Sequence, residues 1–127
     1  MEKILVDTSV IIDFLRSPEK QKSCFHQFFS PGKYQPVVSL TTITELWAGR
    51  SLEKPRTLNF VQNLIEKCEI ISLDLRTAKM AGKILRQANY QISFQDAQIA
   101  ALALDSGLTI LTLNKKDFNK VKGLKLL

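Results

Sequence analysis

The sequence predicts a three-layer α/β/α domain with a central, mostly parallel sheet, and three observations carry that reading. Short apolar runs alternate with amphipathic helical stretches along the chain, the pattern of strands joined by helical crossovers. The stretch Ala97-Gln98-Ile99-Ala100-Ala101-Leu102-Ala103-Leu104 is apolar on most sides, as a central buried helix must be. Polar and acidic residues fall directly after the apolar runs, at the end of a parallel sheet where ligands gather.

Each element has a local cause. Ile4-Leu5-Val6 reads as a buried strand, and Asp7-Thr8-Ser9 starts a helix to about Arg16. After Ser17-Pro18 a second helix is expected to run to about Ser30, where Pro31-Gly32 closes it. Pro36-Val37-Val38-Ser39 is the second strand, followed by a helix from about Thr42. Over 55–68, Leu58, Val61, Leu64, Ile65 and Cys68 recur at helical spacing, and Glu69-Ile70-Ile71-Ser72 is the third strand. Asp74 to about Asn89 is helical, with Leu75, Ala78, Ala81 and Leu85 predicted on its inner side. Ser93 opens the apolar helix, Gly107 ends it, and Leu108-Thr109-Ile110-Leu111 is the clearest strand. A polar turn over 112–118 precedes a last short strand expected around Leu124. With 127 residues and neither repeat nor linker, the chain is read as one domain over 1–127, its crossovers right-handed.

Scarce residues exclude whole classes of chemistry. His26 is the only histidine, so a two-imidazole acid–base mechanism is not available within one chain, and His26 is read as structural. Cys24 and Cys68 stand alone, without the spacing of a zinc site, and suit a reducing compartment. The five glycines match neither a dinucleotide nor a P-loop pattern. The first apolar run is too short for a signal peptide, and none approaches the ~20 residues of a membrane span, so the expected location is cytoplasmic. The formal net charge of +6 favours an anionic partner such as nucleic acid.

Four acids are expected near one edge of the sheet: Asp7 after the first strand, Glu45 in the first turn of the helix after the second, Asp96 in the first turn of the apolar helix, and Asp117 after the strongest strand. Each also has a capping reading, with Thr42-Ile43-Thr44-Glu45 and Ser93-Phe94-Gln95-Asp96 resembling capping boxes. The buried character of the helix behind Asp96 favours convergence instead. Carboxylates sharing a cleft repel one another unless a cation sits among them. All-oxygen ligands without His or Cys suit Mg²⁺ or Mn²⁺, which bridge phosphate oxygens and activate water. Thr8, Ser9, Thr112 and Asn114 flank the acids as supporting polar groups.

Four stations in order carry a family resemblance: Ile4-Leu5-Val6-Asp7-Thr8-Ser9-Val10-Ile11-Ile12-Asp13, then Thr42-Ile43-Thr44-Glu45-Leu46 with Gly49, then Asp96-Ala97-Gln98-Ile99-Ala100-Ala101-Leu102-Ala103, then Leu111-Thr112-Leu113-Asn114-Lys115-Lys116-Asp117-Phe118. Over its whole length the sequence resembles the PIN-domain ribonucleases of the VapC-type toxins found in bacterial and archaeal type II toxin–antitoxin pairs. The resemblance implies a PIN-like α/β/α homodimer and a Mg²⁺- or Mn²⁺-dependent endonuclease acting on RNA, often structured RNA of the translation machinery. It also implies inhibition by a cognate VapB-type antitoxin. Carried over by motif, Asp7, Glu45 and Asp96 match the core metal-binding and catalytic acids, and Asp117 a fourth, more variable one. Thr8 or Ser9, Thr112 and Asn114 match supporting positions.

Around these stations Arg50, Lys115 and Lys116 are candidate RNA contacts, within a lysine-rich tail that continues through Lys120, Lys122 and Lys125. Trp47 is expected in the core or a dimer interface, and Asp13 in an ion pair with Arg16. A receiver-type domain is disfavoured because no Asp lies between Asp13 and Asp74; a haloacid-dehalogenase-type phosphatase is disfavoured because Ser9, not Asp, lies two places after Asp7. The remaining alternatives are a PIN fold kept for RNA or protein binding, or a housekeeping nuclease without an antitoxin. If the four acids are sunk in one metal pocket, eighteen bases face the eight remaining acids, and the rim carries a balance of +10.

Overall fold

The computed structural model describes residues 1–127. Strands β1 (Glu2–Val6), β2 (Tyr34–Ser39), β3 (Glu69–Ile71) and β4 (Thr109–Leu111) form one sheet in the order β3-β2-β1-β4, every pair parallel. Helices α1 (Thr8–Arg16), α2 (Cys24–Phe29), α3 (Leu40–Ala48), α4 (Pro55–Glu66), α5 (Leu75–Gln87), α6 (Phe94–Ser106) and the single turn α7 (Lys115–Phe118) complete the chain. None of them is long and apolar enough to cross a membrane.

Alternation along the strands divides the core in two. Leu5, Val37 and Ile110, in register across three strands, pack with α6 and the inner side of α5. Ile4, Val6, Val38 and Leu111 face the other way, against Val10, Ile11, Leu46, Val61 and Leu64 of α1, α3 and α4. The expected three layers are thus present. Helix α6 is buried almost all round, with Ala97, Ile99, Ala100, Ala101, Leu102 and Ala103 all inaccessible. It ends at Gly107, whose φ of +67° is the left-handed conformation that a C-terminal glycine supplies without steric cost.

Several boundaries differ from the sequence reading. The segment after Pro18 is not one helix: a 3₁₀ turn over Lys20–Lys22 precedes α2, whose N-cap is Ser23. Lys20 Nζ turns back to bond the carbonyls of Phe14, Leu15 and Ser17, closing the end of α1. Helix α3 begins at Leu40 rather than Thr42, because buried Ser39 takes the cap position and accepts the Thr42 N–H at 3.1 Å. On α5 the inner stripe is Thr77, Ala81 and Ile84, while Leu75 is 73% exposed and Ala78 also faces out. The capping box of Asp74 and Thr77 sets that rotation by fixing Thr77 inward. The polar turn after β4 contains α7, and the last strand is reduced to a parallel bridge between Ile110 and Leu126, two residues beyond Leu124. That bridge is held by Ile110 N–H to Lys125 O and Leu127 N–H to Ile110 O, both 2.9 Å.

Asp13 does not pair with Arg16. Its Oδ2 accepts the Cys24 N–H at 3.2 Å, at the partly buried start of α2, where an acceptor meets an unbonded helix-terminal donor. Cys24 and Cys68 are free thiols, each half-buried. Trp47 is 41% exposed and so lies outside the core.

Candidate metal and nucleic-acid site

Because β2 and β4 lie on opposite sides of β1, the chain reverses its order of travel across the sheet there, and the carboxyl ends of β1 and β4 flank the resulting crevice. Asp7 N–H bonds Leu111 O at 2.9 Å, which sets Asp7 beside Thr112. Asp7 occupies the cap position of α1, yet its side chain makes no capping bond. Its Oδ2 instead accepts the hydroxyls of Ser9 at 2.6 Å and Thr112 at 2.8 Å. Those hydroxyls in turn accept backbone N–H groups, Ser9 that of Leu113 and Thr112 that of Asn114. The loop after β4 is therefore fastened to the carboxylate after β1, and the capping reading of Asp7 gives way to a built polar site.

Glu45 is reached from the other side. It lies in the second turn of α3, so the capping box expected for Thr42 and Glu45 is absent. Thr8 Oγ1 lies 2.8 Å from Glu45 Oε1 and 2.9 Å from Thr42 Oγ1, which is itself 3.3 Å from Ser39 Oγ. With one proton to give, Thr8 donates to the carboxylate and accepts from Thr42, making Ser39, Thr42 and Thr8 a buried relay of hydroxyls behind Glu45. The sequence reading named Thr8 among the polar groups flanking the acids and did not single out Ser39 and Thr42. The available signal was that Ser39 ends an apolar strand and Thr42 follows in the first turn of the next helix, where full burial leaves the two hydroxyls to bond one another.

Asn114 joins the remaining acids. Its amide Nδ2 donates to Asp117 Oδ2 at 2.8 Å and lies 3.4 Å from Asp96 Oδ2. Asp117 also pairs with Lys120 at 3.3 Å. At Asp96 the capping box is half-made: Ser93 Oγ accepts the Asp96 N–H at 2.9 Å, while the carboxylate turns to Asn114.

The electrostatics follow from this placement. Burial first, then the charges of Asp7, Asp117 and Glu45, push the Asp96 carboxyl up to about 6. Burial raises Glu45 as well, against the Thr8 hydrogen bond and with the Asp7 charge. Asp117, at the solvent edge, is lowered by its bonds to Asn114 and Lys120. All four acids therefore occupy one region. They do not close into a finished coordination shell, since no three approach as a ready-made metal-ligating group. The donor set nonetheless fits a hard divalent cation that keeps several waters between itself and its carboxylates: every donor is oxygen, and Asp96 sits where added positive charge lowers the energy.

Surfaces around the acids are uneven. Cavities of about 540 and 340 Å³ lie on either side of α3, and both are lined in part by Glu45. A third, of about 520 Å³, is walled by Phe14, Phe25, Phe29, Tyr34 and Phe60 and shares no residue with the acids. Arg50, Lys115 and Lys116 sit at the surface, Arg50 on the 340 Å³ cavity and the lysines in the first turn of α7 beside Asp117.

Comparison with known proteins agrees with the fold. The PIN domain model matches residues 4–124. Ribonuclease VapC1 of Rickettsia felis is 27% identical, over 98% of this chain and 94% of that one. The tRNA(fMet)-specific endonuclease VapC of Salmonella typhimurium is 25% identical, over 99% and 97%. Among solved structures, DNA-bound VapBC from Salmonella typhimurium superposes with a TM-score of 0.83 at 24% identity, over 100% of this chain and 98% of that one, a likeness of fold.

Proposed function

This chain belongs to the PIN-domain family, and from that premise we propose that it is a Mg²⁺- or Mn²⁺-dependent endoribonuclease, the toxin of a toxin–antitoxin pair that blocks translation. The observation that carries the reading is Asp96, a carboxylate on the first turn of a buried helix, raised to about 6 among three other acids whose orientations are each fixed by a neutral donor. Such an arrangement costs stability in the folded chain and is expected where a cation is to be held.

Asp7, Glu45 and Asp96 would hold the ion, with Asp117 at its edge. When bound, Mg²⁺ or Mn²⁺ supplies a Lewis acid that activates water and contacts phosphate oxygen. The protein's own part is orientation. Ser9 and Thr112 both occupy Asp7 Oδ2, leaving Oδ1 for the crevice. Thr8 fixes the rotamer of Glu45, and the Asn114 amide keeps Asp96 and Asp117 facing one another without adding charge. Arg50, Lys115 and Lys116, exposed near the acids, would hold the RNA backbone.

The relatives point to a first substrate: tRNA is named for the Salmonella typhimurium and Shigella flexneri enzymes. A VapB-type antitoxin is the proposed partner, by analogy with the VapBC complexes that share the fold. A homodimer is supported by exposed Leu40 and Phe94, which line the 540 Å³ cavity with Ala48 and Leu73. The test is cleavage of tRNA by purified protein with Mg²⁺, Mn²⁺ or chelator. Wild type is expected to cut only with metal, and Asp96→Asn, still folded, not to cut; undiminished cleavage in chelator would overturn the metal mechanism.

A further inference from the structure

Arg16 and Arg50 stand free on a cavity that they share with Glu45. The four ion pairs of the chain use Lys3, Lys22, Arg76 and Lys120, and Asp13, the obvious partner for Arg16, is bonded to the start of α2. Both guanidinium residues are exposed, and both line the cavity of about 340 Å³ that Glu45 closes on one side. Ser51 and Thr57 add hydroxyls to its wall, Thr57 from the first turn of α4, where Lys54 offers no side-chain cap. Leu15 and Leu46 supply apolar surface. Arg16 lies two turns along α1 from Thr8, so the helix that carries this arginine also carries the hydroxyl that orients Glu45 of α3.

Two unpaired arginines facing an apolar wall beside a metal-binding acid describe a subsite for one nucleotide. We infer that Arg16 and Arg50 together hold a single RNA phosphate next to the scissile one, while its nucleoside lies on the apolar wall. This rests on the endoribonuclease reading and extends it by one named contact. A guanidinium pair matches the forked geometry of a phosphate better than a lysine pair does. The acid on the opposite wall disfavours a second anion at the Glu45 end unless a cation accompanies it, which orients the RNA with its scissile phosphate toward the metal.

The experiment measures binding of a fluorescent single-stranded RNA to the full-length chain in the cleavage-silent Asp96→Asn background, across a salt series in Mg²⁺. Arg16→Ala with Arg50→Ala is expected to weaken binding about 10- to 100-fold and to reduce the slope of log K against log salt by about 0.7, the value for one phosphate on a single strand. Arg16→Lys with Arg50→Lys is expected to keep the slope and recover only part of the affinity. An RNA series with one neutral methylphosphonate at each position should show one position that weakens binding to the arginine protein and leaves binding to the double alanine variant unchanged. Wild-type affinity and slope in the double alanine variant overturn the assignment. So does normal RNA binding accompanied by loss of inhibition by the antitoxin, which would give the arginines to a protein partner. If the parent protein binds and cuts no RNA at all, the endoribonuclease reading fails and takes the subsite with it; if it cuts normally with both arginines removed, only the subsite fails.

Discussion

Replacing Asp96, one of the four clustered acids, is expected to make the metal-free protein more stable. In the folded chain Asp96 is raised to about 6, first by burial and then by Asp7, Asp117 and Glu45, against about 3.9 for an unfolded aspartate. The folded state thus binds this proton more tightly than the unfolded state. Below about pH 4 both states are protonated and the acid costs nothing; the cost grows as pH rises from about 4 to 6 and is fully present above. Two pKa units correspond to about 3 kcal/mol, and screening of a half-buried group reduces the expected effect to about 1–2 kcal/mol. Asp96→Asn keeps an acceptor for Asn114 and cannot ionise, so it removes this cost. In chelator at pH 7.5, urea unfolding should place the variant about 1–2 kcal/mol above wild type, with the gap closing by pH 4. Saturating Mg²⁺ should reverse the order by stabilising wild type alone. A variant less stable than wild type at pH 7.5, or a gap that ignores pH, would refute the repulsion argument.

Two further substitutions test how the site is built. Thr112→Val removes the hydroxyl that joins Asp7 Oδ2 to the Asn114 N–H and should cost about 2–4 kcal/mol, seen in the urea midpoint, because a buried charge loses a donor and an amide its acceptor. Its loss of cleavage should exceed what the folded fraction explains. Phe118→Ala empties a core site that is 1% exposed, at the residue following Asp117; about 3–5 kcal/mol is expected, measured as a fall in Tm of roughly 3–5 °C per kcal/mol for a chain of this size.

Much of this was legible in order and less of it in register. The passage from Val6 through Asp7 into α1 could be read because an apolar strand must end where the first unavoidable charge appears, and that end lies in the crevice. For Asp96 the apolar run behind it was the signal, but only half of that logic holds: α6 is buried from Ala97 onward, whereas its first turn stays near the surface, with Phe94 66% exposed and Asp96 half-buried. Position along one helix was harder. Ser39 and Thr42 are equally good caps as sequence, and only the burial of Ser39 at the end of β2 decides between them. Leu75 looked like a core residue because leucine usually is one, but the Asp74–Thr77 capping box turns it outward. The pairing of Asp13 with Arg16 had the correct helical spacing and lost to a backbone donor eleven residues away. Contacts such as Thr8 to Glu45, separated by 37 positions, come from the neighbouring placement of β1 and β2, which no local pattern encodes.

The small bridge at Leu126 has a consequence for self-association. A parallel sheet exposes unpaired amides along its two outer strands, and these can recruit a strand from another molecule. Beside β4 the segment from Lys125 to Leu127 already takes both the N–H and the C=O of Ile110, so that flank is blunted. The opposite flank is β3, three residues long, with Ile70 41% exposed and Glu69 pinned to Lys3 of β1 by a 2.9 Å ion pair that reaches across β2. Sheet-to-sheet polymerisation thus has one short approach, guarded by charge, and loosening the last three residues would open a second on the side nearest the acids.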